Sequence, residues 1–494
     1  MKTIKRIISG LIAAIMLTTA LSASAQEAVT VEPIRFRHDH FIKGMDVSSV
    51  LSLEKSGVKF YRSDGEESDL FQILADSGVN YIRVRVWNHP YDNSGNSYGG
   101  GNNDAAAAAK IGKRAAQYGM KLLVDFHYSD FWADPAKQKA PKAWENMSLT
   151  EKSSALYEFA YYSLKEIKSA GAEIGMVQIG NETTAGIAGE SDFSAMAQLF
   201  NAGAKAVRDF DSGTLVALHF TNPEKTAVMK WLADSLNQYR VDYDVFSSSY
   251  YPQWHGTLDN LTAVLRYVRE TYHKEVMVAE TAYPYTLDDT DGFSNTVTQW
   301  NGSGENMRWD FTPQGQAGEL RDVMSAVNDA DGLGVFYWEG AWITVGDTTG
   351  LSGRELESQI LHNRQLWEQN GAGWASSYAK EYDPDDAGKY YGGSAVDNQA
   401  FFDATGKALP SLDVFRLVDG AKSILGDVNR DGRVSVEDAT LIQKAVGELE
   451  ELDAQQKMLA DVNSDSKVDV VDATLIQEYA ADLSVPYPIG SEQL

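Results

Sequence analysis

The chain has 494 residues, 43% of them hydrophobic, with 70 acidic against 43 basic side chains and a formal net charge of −27. That length suits one large domain with a small module attached, and the ordinary hydrophobic share leaves no case for wholesale disorder. So large an acidic surplus argues against nucleic acid as a partner and suits a protein acting on a neutral polymer, with part of the acid serving as cation ligand.

Residues 1–25 read as a secretory signal peptide: Lys2, Lys5 and Arg6 open it, Ile7–Leu21 is its apolar stretch, and Ala23-Ser24-Ala25 is a small-x-small cleavage site. No later segment reaches the roughly 18 uninterrupted apolar residues of a membrane span, so a secreted, extracellular protein with no membrane partner is expected. Cysteine is absent. Stability must then come from a large core and from bound metal rather than from disulfides.

Eight short apolar, β-branched runs follow, at Ile42–Val47, Tyr81–Val86, Leu122–His127, Met176–Gly180, Leu215–His219, Val245–Tyr250, Val276–Glu280 and Gly334–Tyr337. Helical patterns separate them, for example Asp104–Tyr118, which stops at Gly119. Eight β-α alternations predict a parallel sheet closed into a (β/α)8 barrel over residues 26–419. An open doubly wound sheet is the structural alternative, weakened because no Gly-rich phosphate loop follows any of the runs.

In such a barrel the chemistry sits at the C-terminal ends of the strands. A strand of about five residues spans roughly 17 Å, so acids at opposite ends of a strand cannot meet. Glu173 and Glu275 start the fourth and seventh strands, whereas Glu182 and Glu280 end them, and only the second pair can converge. Two carboxyls across a cleft suit glycoside hydrolysis: one protonates the departing oxygen while the other attacks the anomeric carbon or activates water. Around them, Arg83 and Arg85 lie on strand two with Trp87 beyond, His127 and Trp132 close strand three, and Asn181 precedes Glu182. His219, Tyr250, Trp254 and Trp338 follow strands five, six and eight. Aromatic faces match the apolar faces of sugar rings, and an arginine beside the nucleophile keeps it ionised.

From about residue 420 the pattern changes, with the boundary near Val418–Leu425 and little linker. Asp427-Val-Asn-Arg-Asp-Gly…Asp438-Ala-Thr-Leu-Ile-Gln recurs 34 residues later as Asp461-Val-Asn-Ser-Asp-Ser…Asp472-Ala-Thr-Leu-Ile-Gln. Asp427, Asn429, Asp431, Ser435 and Asp438 place oxygens at positions 1, 3, 5, 9 and 12 of an EF-hand-like calcium loop, as do Asp461, Asn463, Asp465, Asp469 and Asp472. Two calcium ions are expected here. Ser466 stands where the first copy has Gly432, so the second turn is expected to be strained.

Gly44-Met-Asp46-Val-Ser-Ser49, Arg83-Val-Arg85-Val-Trp87, Val124-Asp-Phe-His127-Tyr-Ser-Asp-Phe-Trp132-Ala-Asp-Pro135, Gln178-Ile-Gly-Asn181-Glu182, Ala279-Glu280-Thr281 and Gly334-Val-Phe-Tyr-Trp338-Glu together resemble glycoside hydrolase family 53, from about Phe41 to Phe415. The resemblance implies an endo-β-1,4-galactanase acting on pectic galactan or arabinogalactan, with a retaining mechanism, Glu182 as acid/base and Glu280 as nucleophile. It adds Asp46 to the substrate-binding set. Some members of the family hold a structural calcium, which implies a third ion at Asp289, Asp291 and Asn295 with Ser394 and Asp397; a solvated acidic loop is the other reading of these residues.

The paired loop-helix units of residues 420–494 resemble dockerins, which implies an all-α module that folds on calcium and binds a cohesin domain of a scaffold protein. The barrel itself is expected to be monomeric. Three other readings stay open at this point: another retaining barrel endoglycanase such as a mannanase or cellulase, a non-catalytic carbohydrate-binding barrel, and a calcium-regulated signalling protein.

Overall fold

Eight parallel strands close on themselves in sequence order: β1 (Ile42–Asp46), β2 (Tyr81–Val86), β3 (Lys121–Phe126), β4 (Ile174–Ile179), β5 (Leu215–Phe220), β6 (Val245–Ser249), β7 (Glu275–Thr281) and β8 (Gly334–Tyr337), with β8 pairing back onto β1. The structure is a computed structural model describing residues 28–298, 306–420, 424–481 and 483–491, apart from the side chains at 390 and 455. The expected signal peptide lies outside the described residues. No helix among the described residues is long and apolar enough to cross a membrane.

Parallel strands are covered on both faces, which is why they read as near-continuous apolar runs. The barrel interior is filled by Ile42, Tyr81, Leu123, Met176, Ala217, Val245, Met277 and Phe336, among others. Packing there is tight enough that a Cβ on Gly44 would lie 2.2 Å from the Phe336 ring. Outside, the connecting helices begin on side-chain caps. Asp104 accepts the Ala107 N–H at the head of Ala105–Gln117, and Ser148 with Glu151 forms a reciprocal box at the head of Leu149–Ser169.

Alternation along the strands then decides what reaches the mouth. Tyr81, Leu123, Met176, Ala217 and Val245 face inward. Two and four residues on, the same faces carry Arg83 and Arg85, Asp125 and His127, Gln178, His219, Ser247 and Ser249. Continuing the period beyond β6 puts Tyr251, not Tyr250, on the inner side. β7 breaks the rule. Met277 and Ala279 face inward, so strict alternation would turn Glu280 out. Its register shifts against β6 between Ser248 and Ser249 and against β8 between Val278 and Thr281. A bulge of this kind re-aims a side chain beside a site, and here it brings Glu280 to the mouth.

The chain forms two compact units that divide at Val414/Phe415, with Glu32–Phe36 joining the second. Helices Val436–Val446, Ala454–Ala460 and Val470–Ala480 build that second unit. Its core draws on equivalent positions of the two sequence copies, Val428 with Val462, Ala439 with Ala473, and Ile442 with Ile476, closed by Leu425, Leu452 and Ile489. Its two ends are tied together: Leu425 N–H donates to Ser491 O at 3.0 Å, and Gly490 N–H donates to Leu425 O at 2.9 Å.

Candidate active site

Arg83 joins the parts of the site. Its guanidinium donates from Nη1 to Asp46 Oδ2 at 2.9 Å, and from Nη2 to Asp125 Oδ2 at 2.8 Å and Asn181 Oδ1 at 3.0 Å; Nη2 also lies 2.8 Å from Glu280 Oε1. Burial alone would weaken the arginine's charge, but Asp125, Glu280 and Asp46 more than restore it. Glu280 is fixed from its other side by the Tyr251 hydroxyl, which donates to Oε2 at 3.0 Å. Its acid is pushed up to about 7 by burial, against the pull of Arg83.

Glu182 follows β4 with a left-handed backbone, φ 46°, after Gly180 at φ 82° has turned the chain out of the sheet. Left-handed geometry in a non-glycine residue is a strained conformation found at functional sites. Ser249 Oγ donates to Glu182 Oε1 at 2.6 Å, and the nearby Thr221 hydroxyl also favours its ionised form. Burial, then the neighbouring charge of Glu280, pushes Glu182 up to about 8. The pair is therefore ordered, with Glu280 ionising first because it alone has the arginine.

Both glutamates line one cleft of about 390 Å³. Arg83, Arg85, His127, Trp132, Asn181, Trp254 and Trp338 of the sequence-predicted residues line it too. Trp254 is half exposed on the rim, and Trp132 packs edge-on to Trp338 and under Arg85, whose Cζ lies 4.4 Å from its ring. Four expected substrate contacts are corrected. Asp46 is fully buried beneath the cleft because it is spent on Arg83 and on the Ser48 N–H and hydroxyl. Trp87 is fully buried because its indole N–H donates to His127 Nδ1 at 3.1 Å. His219 is sealed among Gln178, Asn181 and Ser249. Tyr250 faces away, its hydroxyl donating to Gly256 O at 3.1 Å, and Tyr251 takes the place expected of it.

His127 has a defined tautomer. Nδ1 accepts from Trp87 and from the Ala133 N–H, so the proton sits on Nε2 and points at Asp125 Oδ2, 3.0 Å away. Gln178 and Ser249 were given no role by the sequence, and Asp125 and Tyr251, though they end strand three and follow strand six beside Tyr250, were not assigned to the substrate-binding set. Period-two counting from Leu123, Met176 and Val245 would have found all four. Trp374, Gln253 and Lys137, which also line the cleft, come from loops without such a signal.

Two places could hold a cation. In the barrel, Asp289, Asp291 and Asp397 each bring a carboxylate oxygen within 4.8 Å of the others. Burial and then the charge of Asp397 hold Asp291 well above the usual carboxylate range, and burial lifts Asp397 to about 6. Asn295 Oδ1 and Asp397 Oδ1 are buried without a hydrogen-bond partner. Like charges gathered with orphaned oxygens fit a hard cation with oxygen ligands. Ser394 meets this cluster through its backbone, which donates to Asp291 Oδ2 at 2.7 Å; its hydroxyl is engaged with Trp342 O and the Val396 N–H instead.

In the second unit, the loop backbones fold onto their own acids: Asp427 accepts the Asp431 and Gly432 N–H groups, and Asp461 accepts those of Asp465 and Ser466. Asp438 and Asp472 are fully buried, each accepting backbone N–H groups of its own loop. Position six is left-handed in both copies, φ 89° at Gly432 and φ 66° at Ser466. Ser466→Gly is therefore expected to stabilise the second loop by about 1 kcal/mol, offset slightly by glycine's entropy when unfolded. Chemical denaturation of the full chain checks this: the transition of the second unit moves to higher denaturant, and Gly432→Ser moves it the other way.

A model of the Glycosyl hydrolase family 53 matches residues 42–415, and a model of the Dockerin type I domain matches residues 425–480. The chain is 56% identical over 413 residues to an endo-beta-1,4-galactanase of Bacillus subtilis (strain 168), covering 83% of this chain and 94% of that protein. It is 34% identical over 392 residues to an arabinogalactan endo-beta-1,4-galactanase of Cellvibrio japonicus (strain Ueda107), covering 76% and 90%. Among solved structures, the Ignisphaera aggregans GH53 catalytic domain superposes with a TM-score of 0.69 at 36% identity, covering 79% of this chain and 99% of that one. With the first model spanning the whole barrel and the second the duplicated loops, the chain belongs to glycosyl hydrolase family 53 and carries a C-terminal type I dockerin domain.

Proposed function

We propose that the protein is a secreted arabinogalactan endo-β-1,4-galactanase that cleaves internal bonds of pectic galactan with retention and is tethered to a cellulosome-like scaffold through its dockerin. The observation that carries the chemistry is the asymmetry of the two glutamates in one cleft: Glu280 against Arg83 and Tyr251, Glu182 against the Ser249 hydroxyl with no cation beside it among the described residues. Glu280 attacks the anomeric carbon while Glu182 gives its proton to the departing oxygen; ionised Glu182 then takes a proton from the water that releases the sugar from Glu280. Arg83 keeps the nucleophile charged before attack and receives its charge again when the covalent bond breaks. The galactanase names of two relatives covered over most of their length support the substrate.

Reducing-sugar release from β-1,4-galactan, beside mannan and carboxymethylcellulose, tests the substrate. Activity confined to galactan is expected. Activity on another polymer overturns the substrate but leaves the glutamates their roles, and inactivity on all three makes the barrel a binding module. Proton NMR of the first-formed product tests retention, with the β-anomer expected before mutarotation.

Calcium is proposed at Asp427, Asn429, Asp431, Ser435 and Asp438, at Asp461, Asn463, Asp465, Asp469 and Asp472, and at Asp289, Asp291, Asn295 and Asp397. Bound there, it would supply positive charge that lets these acids stay ionised together. Chelation is expected to abolish cohesin binding before hydrolysis, because the dockerin core is small and the barrel core large. Titrating a chelator against native-gel complex formation and galactan hydrolysis in the same sample checks the order; simultaneous loss would give the barrel cluster the dominant stabilising role.

A further inference from the structure

His219 sits on β5 with none of its surface exposed, so it cannot meet a sugar, yet it lies one hydroxyl away from Glu182. Its Nε2 is 2.9 Å from Ser249 Oγ, and Ser249 Oγ is 2.6 Å from Glu182 Oε1. Counting donors gives the direction. A serine hydroxyl has one hydrogen, and an ionised carboxylate can only accept. When Glu182 is ionised, Ser249 must donate to it, and Ser249 must then accept from Nε2–H of His219. The ring's other nitrogen is compatible with this, since Nδ1 is faced by two N–H donors, Gln178 Nε2 at 3.1 Å and the Glu182 backbone at 3.3 Å. Burial, with the nearby charge of Arg83, holds His219 well below its ordinary range, so it carries a single ring proton.

One further contact fits the opposite arrangement. Nδ1 also lies 2.9 Å from Asn181 Oδ1, an acceptor whose identity is set because its Nδ2 donates to Ala133 O at 2.9 Å. With the proton on Nδ1 rather than Nε2, His219 would donate to Asn181 and accept from Ser249, and Ser249 would accept from a protonated Glu182 Oε1. The site therefore has a partner ready for either tautomer. The backbone of Glu182 and the Gln178 amide favour the first, in which Oε1 is occupied by a donor.

We infer that Ser249, aimed by His219, is a positioning residue for Glu182: it holds Oε1 as an acceptor and so reserves Oε2 for the proton that is transferred to the leaving group. This rests on the acid/base reading of Glu182 given above. The proton never leaves the Glu182–substrate–water set; Ser249 and His219 keep their own hydrogens through the cycle. The other groups facing Glu182 are the Thr221 hydroxyl, which His255 meets in turn, Glu280 on β7, Tyr251 beyond β6 and Asp134 beyond β3. None of them is altered by truncating Ser249.

The test is Ser249→Ala in the full chain, with thermal unfolding as a control for fold. Losing a donor to the ionised form raises the Glu182 acid, so the alkaline limb of kcat/KM is expected to move up by about one pH unit. Turnover of galactan is expected to fall roughly 10- to 100-fold, since proton transfer is misaimed. By contrast kcat/KM for a dinitrophenyl galactobioside, whose leaving group needs no proton, should change less than about twofold. Ser249→Thr should restore both the limb and the galactan rate. Ser249→Cys, of similar volume but a poor donor, gives the same reading if the alanine variant unfolds. An unmoved limb, or equal slowing of both substrates, overturns the positioning role. Glu182→Gln separates the two readings: if its alkaline limb persists, the acid/base assignment itself fails, whereas if the limb vanishes there and stays put in Ser249→Ala, only Ser249 loses its part.

Discussion

Glu280→Gln is expected to lower kcat on galactan by at least about 10⁴-fold while leaving polymer binding within about twofold of the parent. The amide is nearly isosteric, keeps its one oxygen toward Arg83 while its NH2 takes the place of Oε2 and donates to the Tyr251 hydroxyl, and removes only the proposed nucleophile. The fold does not require the charge at this position. Burial pushes the Glu280 acid up, and Arg83 already has Asp46 and Asp125 as partners, so the loss of one carboxylate leaves the guanidinium paired. Glu182 should respond as well. With the adjacent negative charge gone its acid falls back toward the ordinary range, because Glu280 is the second largest cause of its elevation. Kinetics on galactan, affinity electrophoresis in galactan gels and thermal unfolding check the three parts. Residual turnover comparable with the parent would remove Glu280 from the nucleophile role, and loss of binding together with turnover would mean that the cleft had collapsed.

How much of this could be read from the residues depends on what each feature needs. The barrel was legible because buried parallel strands are continuous β-branched runs, and all eight strands fall within a few residues of the expected ranges. Glu182 and Glu280 stand out as acids at strand C-termini, and Arg83 as a cation on an otherwise apolar strand. The error over Tyr250 has a different origin. Both tyrosines follow β6, and only counting from the inward-facing Val245 distinguishes them. Asp46, Trp87 and His219 were misplaced because their types suit sugar contacts equally well; what buries them is the need to satisfy Arg83, His127 and Ser249, and such pairings depend on three-dimensional neighbours. The β7 bulge could not be read at all, because a register shift is a relation between strands and leaves no period of its own.

Arg83→Leu tests whether that buried network is structural as well as catalytic. The side chain is 1% exposed and neutralises parts of three carboxylates, Asp46, Asp125 and Glu280. Removing one partner of a buried ion pair usually costs about 3–5 kcal/mol, since the charges left behind have neither water nor a counter-ion. The leucine variant is therefore expected to lose stability in that range, read from the denaturant midpoint of the barrel at constant m-value. The effect on pH has a definite sign. Arg83 is the larger of the two lowering influences on Glu280, ahead of the Tyr251 hydroxyl, so without it the Glu280 acid rises further and the acidic limb of the rate profile moves to higher pH. Arg83→Lys separates charge from geometry. A lysine supplies the positive charge but cannot reach Asp46, Asp125, Asn181 and Glu280 together, because it lacks the planar fork. It should keep the acidic limb nearer its original place than leucine does, while still losing stability and turnover. A lysine variant as stable and as fast as the parent would mean that Arg83 acts as a point charge and that the bonds to Asp125 and Asn181 are incidental.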